Sequence, residues 1–340
     1  MGLHILNGSH KRNGANPDTR QRGDHTRVWS RLATWLLRFA PWLMAALVLW
    51  FLFRQVPLMA AWQAMDQARF SVFLPVILIT TILTFWVESS ALAQLFSRFN
   101  APVAGGEARS LRALTYLLTP INWNLGTGAM VLHLRTSKDI GAIESTSSLI
   151  FYSLIDGLFL SGLVFLGVLT LCAFPVLQTI GRFAAVSVVG HLGVFVFCMS
   201  GGLKWRWVQR IKSLPPLRTF CLATWQDIGV LLGMRAIYFA VIMLSHWATT
   251  ATFNVHVPLA YMTVAVPIIL LVSSLPITPA GLGTQQAASL LLFSPYGSEA
   301  NILAYSLIYP VASLLMRLLL GLFYLRDLKA LRCRHAQNPS

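Results

Sequence analysis

The chain has 340 residues, 56% of them hydrophobic and only 11% charged, with a mean hydropathy of +0.65. Soluble domains carry about 25% charged residues, so the composition excludes a soluble globular enzyme and fits an all-α polytopic membrane protein. The net charge of +15, from 26 Lys+Arg against 11 Asp+Glu, would raise nucleic acid as a partner on a soluble chain; here no nucleic acid is expected, and the basic residues mark the cytoplasmic loops. Cys172, Cys198, Cys221 and Cys333 stand in no spacing that a metal or disulfide framework needs, and no metal or other cofactor is expected.

Residues 1–34 are polar and rich in Arg, Asn and Gly, which predicts a disordered basic cytoplasmic tail. The membrane domain is predicted over 35–326 and a basic cytoplasmic C-terminal tail over 327–340. Apolar runs near 36–53, 70–96, 147–172, 182–200, 228–248 and 301–325 are each long enough for a core of about 30 Å. They make six full spans, the first an uncleaved span rather than a signal peptide. Two further apolar regions are broken. The first, 110–133, contains Pro120, Asn122, Asn124, Gly126 and Gly128; the second, 258–293, contains Pro276, Thr278, Pro279, Gly281, Gly283, Thr284, Gln285 and Gln286. Proline removes a backbone donor and glycine loosens the chain. At membrane depth such a break must be buried in protein or line a wet cavity, so these residues other than Pro120, together with Asp156, are the candidate substrate path.

Basic loops stay inside. Lys11 to Arg38, Lys204 to Arg218 and Arg326 to Arg334 therefore assign three cytoplasmic segments. Counting spans between them leaves each broken region an even number of crossings, either re-entrant half-helices or a pair of short full spans. The order becomes span, span, broken hairpin, span, twice over, the second set starting on the opposite face. That is the form of an inverted-topology repeat, in which transporters place broken helices around a central site. The two hairpins are expected to meet near the midplane.

Glu88, Asp156, Arg235 and Arg317 lie within spans, where charge is costly and marks pairing or function. At 1.5 Å per residue all four fall about 10–14 Å from the cytoplasmic ends of their helices. They form a candidate intramembrane charge cluster whose arginines suit a phosphate headgroup; the plainer reading is snorkelling arginines and locally paired acids. His191 and His246 read as hydrogen-bonded packing residues.

The stretch Pro279-Ala280-Gly281-Leu282-Gly283-Thr284-Gln285-Gln286-Ala287-Ala288 resembles the Pro-Gly-Gly-Leu-Gly-Val-Arg-Glu-Ala signature of the lysylphosphatidylglycerol synthase transmembrane-region family, the flippase-like integral membrane proteins. Pro120 to Gly128 is similar to the family's Pro-x-x-x-Gly-Glu region, Leu154-Ile155-Asp156 to the end of its Glu-Arg-x-x-Asp motif, and Arg317 to an arginine of its last span. The chain departs from the pattern at Gln285-Gln286, where the family has Arg-Glu, at Thr127, where an acid would follow glycine, and at Ser153, where an arginine would stand. The resemblance implies a lipid translocase that moves a phospholipid or lipid-linked headgroup between leaflets. Membrane lipids with an anionic headgroup would be its partners, and both termini would face the inside of a bacterial-type cytoplasmic membrane. Large family members add a soluble aminoacyl-transferase domain; this chain ends soon after the last span, so no synthase activity is expected. There is no P-loop, no metal-ligand pair at helical spacing and no repeated-aspartate motif, so no enzyme is expected. The alternative is a non-transporting scaffold for a membrane enzyme of lipid modification or glycan assembly, with the breaks serving packing.

Overall fold

The computed structural model describes residues 43, 47, 50, 54, 58–119, 123–170, 175–199, 214–274, 278 and 281–337, with side chains as far as 324 apart from those at 58, 123–124 and 175–177. The expected first span at 36–53, apart from 43, 47 and 50, the basic loop at 200–213 and the whole predicted N-terminal tail lie outside them; of the predicted C-terminal tail, 327–337 continues the last helix and 338–340 lies outside. The described elements are helical, with no strand among the described residues: α1 (Leu58–Asp66), α2 (Phe70–Phe99), α3 (Gly105–Leu118), α4 (Trp123–Lys138), α5 (Ala142–Thr170), α6 (Pro175–Met199), α7 (Arg218–Leu222), α8 (Trp225–Ala251), α9 (Leu259–Ser274), α10 (Thr284–Phe293) and α11 (Glu299–Gln337). Five stretches are long and apolar enough to cross a membrane: 70–99, 142–170, 178–199, 225–251 and 299–324. The chain is an all-α polytopic membrane protein.

Both broken regions fold as helix, break, helix. The first is α3 and α4, with the chain leaving α3 at Thr119 before Pro120; the second is α9 and α10. α9 stops at Ser274, before Pro276, and α10 starts after Gly283, whose φ is 86°. The four arms have 14, 16, 16 and 10 residues, short of the about 20 a crossing takes. Their lengths fit re-entrant arms rather than short full spans.

Hydrogen bonds show where each hairpin begins and ends. At one end of the bundle Ser148 of α5 donates to Asn100 Oδ1 just past α2 (2.6 Å), and the Thr219 amide of α7 donates to Ser147 Oγ (3.1 Å). At the same end Lys138, closing α4, pairs with Glu107 of α3 (3.2 Å) and donates to the Pro102 carbonyl (3.2 Å), while Arg98 of α2 pairs with Asp227 of α8 (2.9 Å). The first hairpin therefore enters and leaves at the end where α2 stops. At the opposite end the Arg69 amide donates to the Thr252 carbonyl (3.1 Å), Phe73 meets Phe253 edge-on at 5.5 Å, and the His256 amide, ahead of α9, donates to the Tyr296 carbonyl, past α10 (3.1 Å). The second hairpin enters and leaves there. The even parity read from the basic loops is thus the geometry of the bundle.

The arms of each hairpin pack on the opposite half, and most of the residues of the two breaks, where the hairpins were expected to meet, lie outside the described residues. Among the described residues they form no packed interface with each other; α3 lies on α11 and α9 on α5, each hairpin seated on the last long helix of the opposite half. Glycines make both seams close. A Cβ on Gly321 of α11 would sit 2.8 Å from Leu117 Cγ and 3.1 Å from the Ala113 carbonyl, and one on Gly167 of α5 would run into Val264 of α9. Two apolar cores result. One gathers Phe73, Phe253, Val264 and Phe293; the other surrounds Phe151, which meets Phe99, Phe195 and Phe220 at 5.5, 5.6 and 5.2 Å.

Candidate functional site

On α2 and α8 the charged residues lie between these cores: Glu88 between Ile77 and Ala91, Arg235 between Leu231 and Ile242. Apolar turns on either side bury the helices, and the charge is carried inside with them. Glu88 Oε2 accepts from the Arg112 guanidinium of α3 and from Tyr116 Oη (3.2 Å). Arg235, 3% exposed, sits with Nη1 3.9 Å from Glu88 Oε1 and Nε 2.6 Å from Asp156 Oδ1 of α5. That last pair is close but poorly aligned, so neither atom completes a hydrogen bond. The Arg235 guanidinium lies 4.1 Å above the Tyr152 ring and 5.2 Å from the Tyr238 ring, contacts that suit a planar, weakly hydrated cation.

Arg317 of α11 stands at the edge of this group, its guanidinium 5.6 Å from the Tyr116 ring. Among the described residues no carboxylate pairs with it directly. The cluster thus sets three arginines against two acids. Among the described residues Arg112 Nε and Tyr152 Oη are buried without a hydrogen-bond partner, and both can donate. Desolvated donors of this kind are expensive. Together with the surplus cation they favour an anionic group with oxygen acceptors.

The structure therefore unites Glu88, Asp156, Arg235 and Arg317, the four charges picked from the sequence, and adds Arg112, which the sequence reading left out. A signal for Arg112 exists in the spacing of Arg112 and Tyr116, i and i+4 on one face of α3, facing Glu88.

The path residues separate into groups. Asn122, Pro276 and Pro279 lie outside the described residues, and Asn124 falls in α4 without a described side chain. Gly126 lets α4 meet α3, since a Cβ there would lie 2.7 Å from Thr119 Oγ1, whereas Gly128 faces open space. In the second break Gly281 and Gly283 adopt φ of 72° and 86°, backbone that L side chains resist. Thr284 Oγ1 donates to the Gly281 carbonyl (3.0 Å) and lies 3.4 Å from Thr278 Oγ1, itself buried. Gln286 is buried and committed: its Oε1 accepts from the Gly283 amide (2.7 Å) and its Nε2 donates to the Ser306 carbonyl of α11 (3.2 Å). It ties the break to α11, while Gln285 beside it is half-buried.

Both histidines pack. His246 Nδ1 lies 2.5 Å from Tyr305 Oη and its ring stacks on Tyr309 at 4.1 Å; His191 Nδ1 lies 2.7 Å from the Ser187 carbonyl.

No curated protein and no solved structure matches the chain. A family model described as the lysylphosphatidylglycerol synthase TM region matches residues 32–321, most of the length and every helix of the site. The chain belongs to the lysylphosphatidylglycerol synthase transmembrane-region family.

Proposed function

We propose that this protein is a lipid translocase of the cytoplasmic membrane, passing a phospholipid or lipid-linked headgroup between leaflets without a catalytic step. The observation that carries the reading is the cluster of Glu88, Arg112, Asp156, Arg235 and Arg317, a surplus of guanidinium between two apolar cores. Such charge inside a membrane bundle calls for a purpose, and its unmatched donors suit a phosphodiester.

Two further features support it. In each hairpin the returning arm starts in the interior, so the N-termini of α4 at Trp123 and α10 at Thr284 turn partial positive charge toward mid-depth from opposite ends. The end bearing Arg98, Lys138 and Arg218 takes the cytoplasmic side by the basic-loop rule, which sets the cluster toward the inner leaflet. A headgroup would exchange its water for these donors while its acyl chains stay in lipid.

The test is leaflet exchange of fluorescent phospholipids in proteoliposomes, followed by dithionite quenching. Acceleration over empty vesicles for at least one headgroup is expected. Empty-vesicle rates across anionic and zwitterionic lipids would refute the reading.

A further inference from the structure

Outside the cluster, a groove of about 490 Å³ runs between α2 and α3, lined by Trp86, Ser89, Ser90, Gln94, Arg109 and, from α8, Met234. Its floor is low because Ser89, Ala93 and Ser97 repeat at one helical spacing on α2, and these small side chains leave a furrow. Two of them are occupied locally: Ser89 Oγ donates to the Phe85 carbonyl (2.7 Å) and Ser97 Oγ accepts from the Val103 amide (3.0 Å). Ser90 and Gln94 are exposed and have no hydrogen-bond partner among the described residues. Arg109 has no acid partner there either; its guanidinium rests 4.6 Å above the Trp86 ring.

The outward face of α2 changes character along its axis. Ile79, Ile82, Leu83 and Trp86 are exposed and apolar, and one and two turns further along the same face stand Ser90 and Gln94. The surface is apolar and then polar, with an unpaired cation at the junction, which is the order of a phospholipid's acyl chain, phosphate and headgroup. A free anion would use only the second part.

We infer that this groove is a docking site for an anionic glycerophospholipid of the leaflet on that side, with Arg109 holding the phosphodiester, Ser90 and Gln94 the headgroup oxygens, and Ile79 to Trp86 the acyl chain. The site rests on the lipid-translocase reading and gives that reading a port. One wall residue from each helix lies beside a cluster member in sequence: Ser89 follows Glu88, Arg109 is one turn before Arg112, and Met234 precedes Arg235. A phosphate leaving Arg109 meets Arg112 next.

Binding can be measured without transport, by native mass spectrometry of the purified protein with phosphatidylglycerol, diacylglycerol or inorganic phosphate as probe. A hydrogen bond to a charged group contributes about 1.5–3 kcal/mol, so Arg109→Gln is expected to lower phosphatidylglycerol retention about tenfold or more. Arg109→Lys should keep an intermediate level, and diacylglycerol retention should be equal in all three proteins. Trp86→Leu, which leaves the arginine in place, should weaken retention less. Equal phosphatidylglycerol retention by wild type and Arg109→Gln would overturn the site, as would complete displacement of the lipid by inorganic phosphate. A wild-type protein that retains phosphatidylglycerol through Arg109 yet exchanges no lipid would overturn the translocase reading and leave the groove standing.

Discussion

Glu88 is the counter-charge of two guanidiniums, so removing it strands Arg112 between apolar cores and leaves Arg235 with Asp156 alone. Breaking a buried pair costs about 3–5 kcal/mol because an uncompensated charge remains, whereas replacing the pair by apolar groups is often neutral. Glu88→Gln and Arg112→Met are each expected to lower unfolding free energy in detergent by about that amount. Glu88→Leu combined with Arg112→Met should recover most of it while lipid exchange stays lost, since Arg235 retains Asp156. A double variant no more stable than the singles would show that the pair is not the source of the cost. Four members of this cluster were legible in the sequence because a charge inside a long apolar run is costly and marks pairing or function. Arg112 was not, because it follows Arg98 and Arg109 in a short, mildly amphipathic segment where arginines read as interfacial. Its partner Glu88 is 24 positions away, and only folding brings the two together. The same limit applies to Gln286: its place in the break was legible, its bond to the Ser306 carbonyl was not.

Several contacts between the two halves recur when the halves are exchanged. With α1 matched to α7, α2 to α8, α3 to α9, α4 to α10 and α5 to α11, these contacts have counterparts: α1 on α11 and α7 on α5, α3 on α11 and α9 on α5, α2 on α11 and α8 on α5, with α2 on α8 mapping to itself; the counterpart of α5 on α6 would involve the expected first span, outside the described residues. The order of spans and hairpins was legible from proline, glycine and basic residues. The exchange of partners was not, because the seams depend on glycine shape rather than on shared residue identity. Gly167 and Gly321 occupy matching seams, and overpacking a tight contact costs about 1–3 kcal/mol. Gly321→Ala, whose Cβ would face the Ala113 carbonyl, is expected to lose stability within that range, and Gly167→Ala likewise unless Val264 is also reduced to alanine. Backbone conformation gives a second contrast. Gly281→Ala forces an L residue to φ near 72° beside the Ser273 carbonyl, at about 1–2 kcal/mol. Gly128→Ala, in a helix and facing open space, should be neutral or stabilising by up to about 1 kcal/mol. Thermal unfolding of the four single variants and the Gly167/Val264 double in one detergent checks the set, and equal losses at Gly281 and Gly128 would contradict it.

At the scale of the whole molecule, two hairpins entering from opposite ends flank a polar layer that neither apolar core can absorb. That arrangement predicts an orientation: single cysteines at Asn100 and Lys138 should label from the cytoplasmic side, and cysteines at Asn254 and Gly297 from the other. Labelling of all four from one side would dismiss the opposed hairpins. It also predicts a transport phenotype separable from folding. Asp156 is the most accessible acid of the cluster, its side chain 34% exposed, and Asp156→Asn keeps its shape. The most direct measurement is therefore the rate of phospholipid exchange between leaflets in proteoliposomes holding equal amounts of folded wild-type and Asp156→Asn protein. Wild type should exceed empty vesicles, and the variant should be slower than wild type by about tenfold or more, a barrier change of about 1.4 kcal/mol or greater. Equal rates for the two proteins, or none above empty vesicles for wild type, would contradict a lipid path through the charged layer.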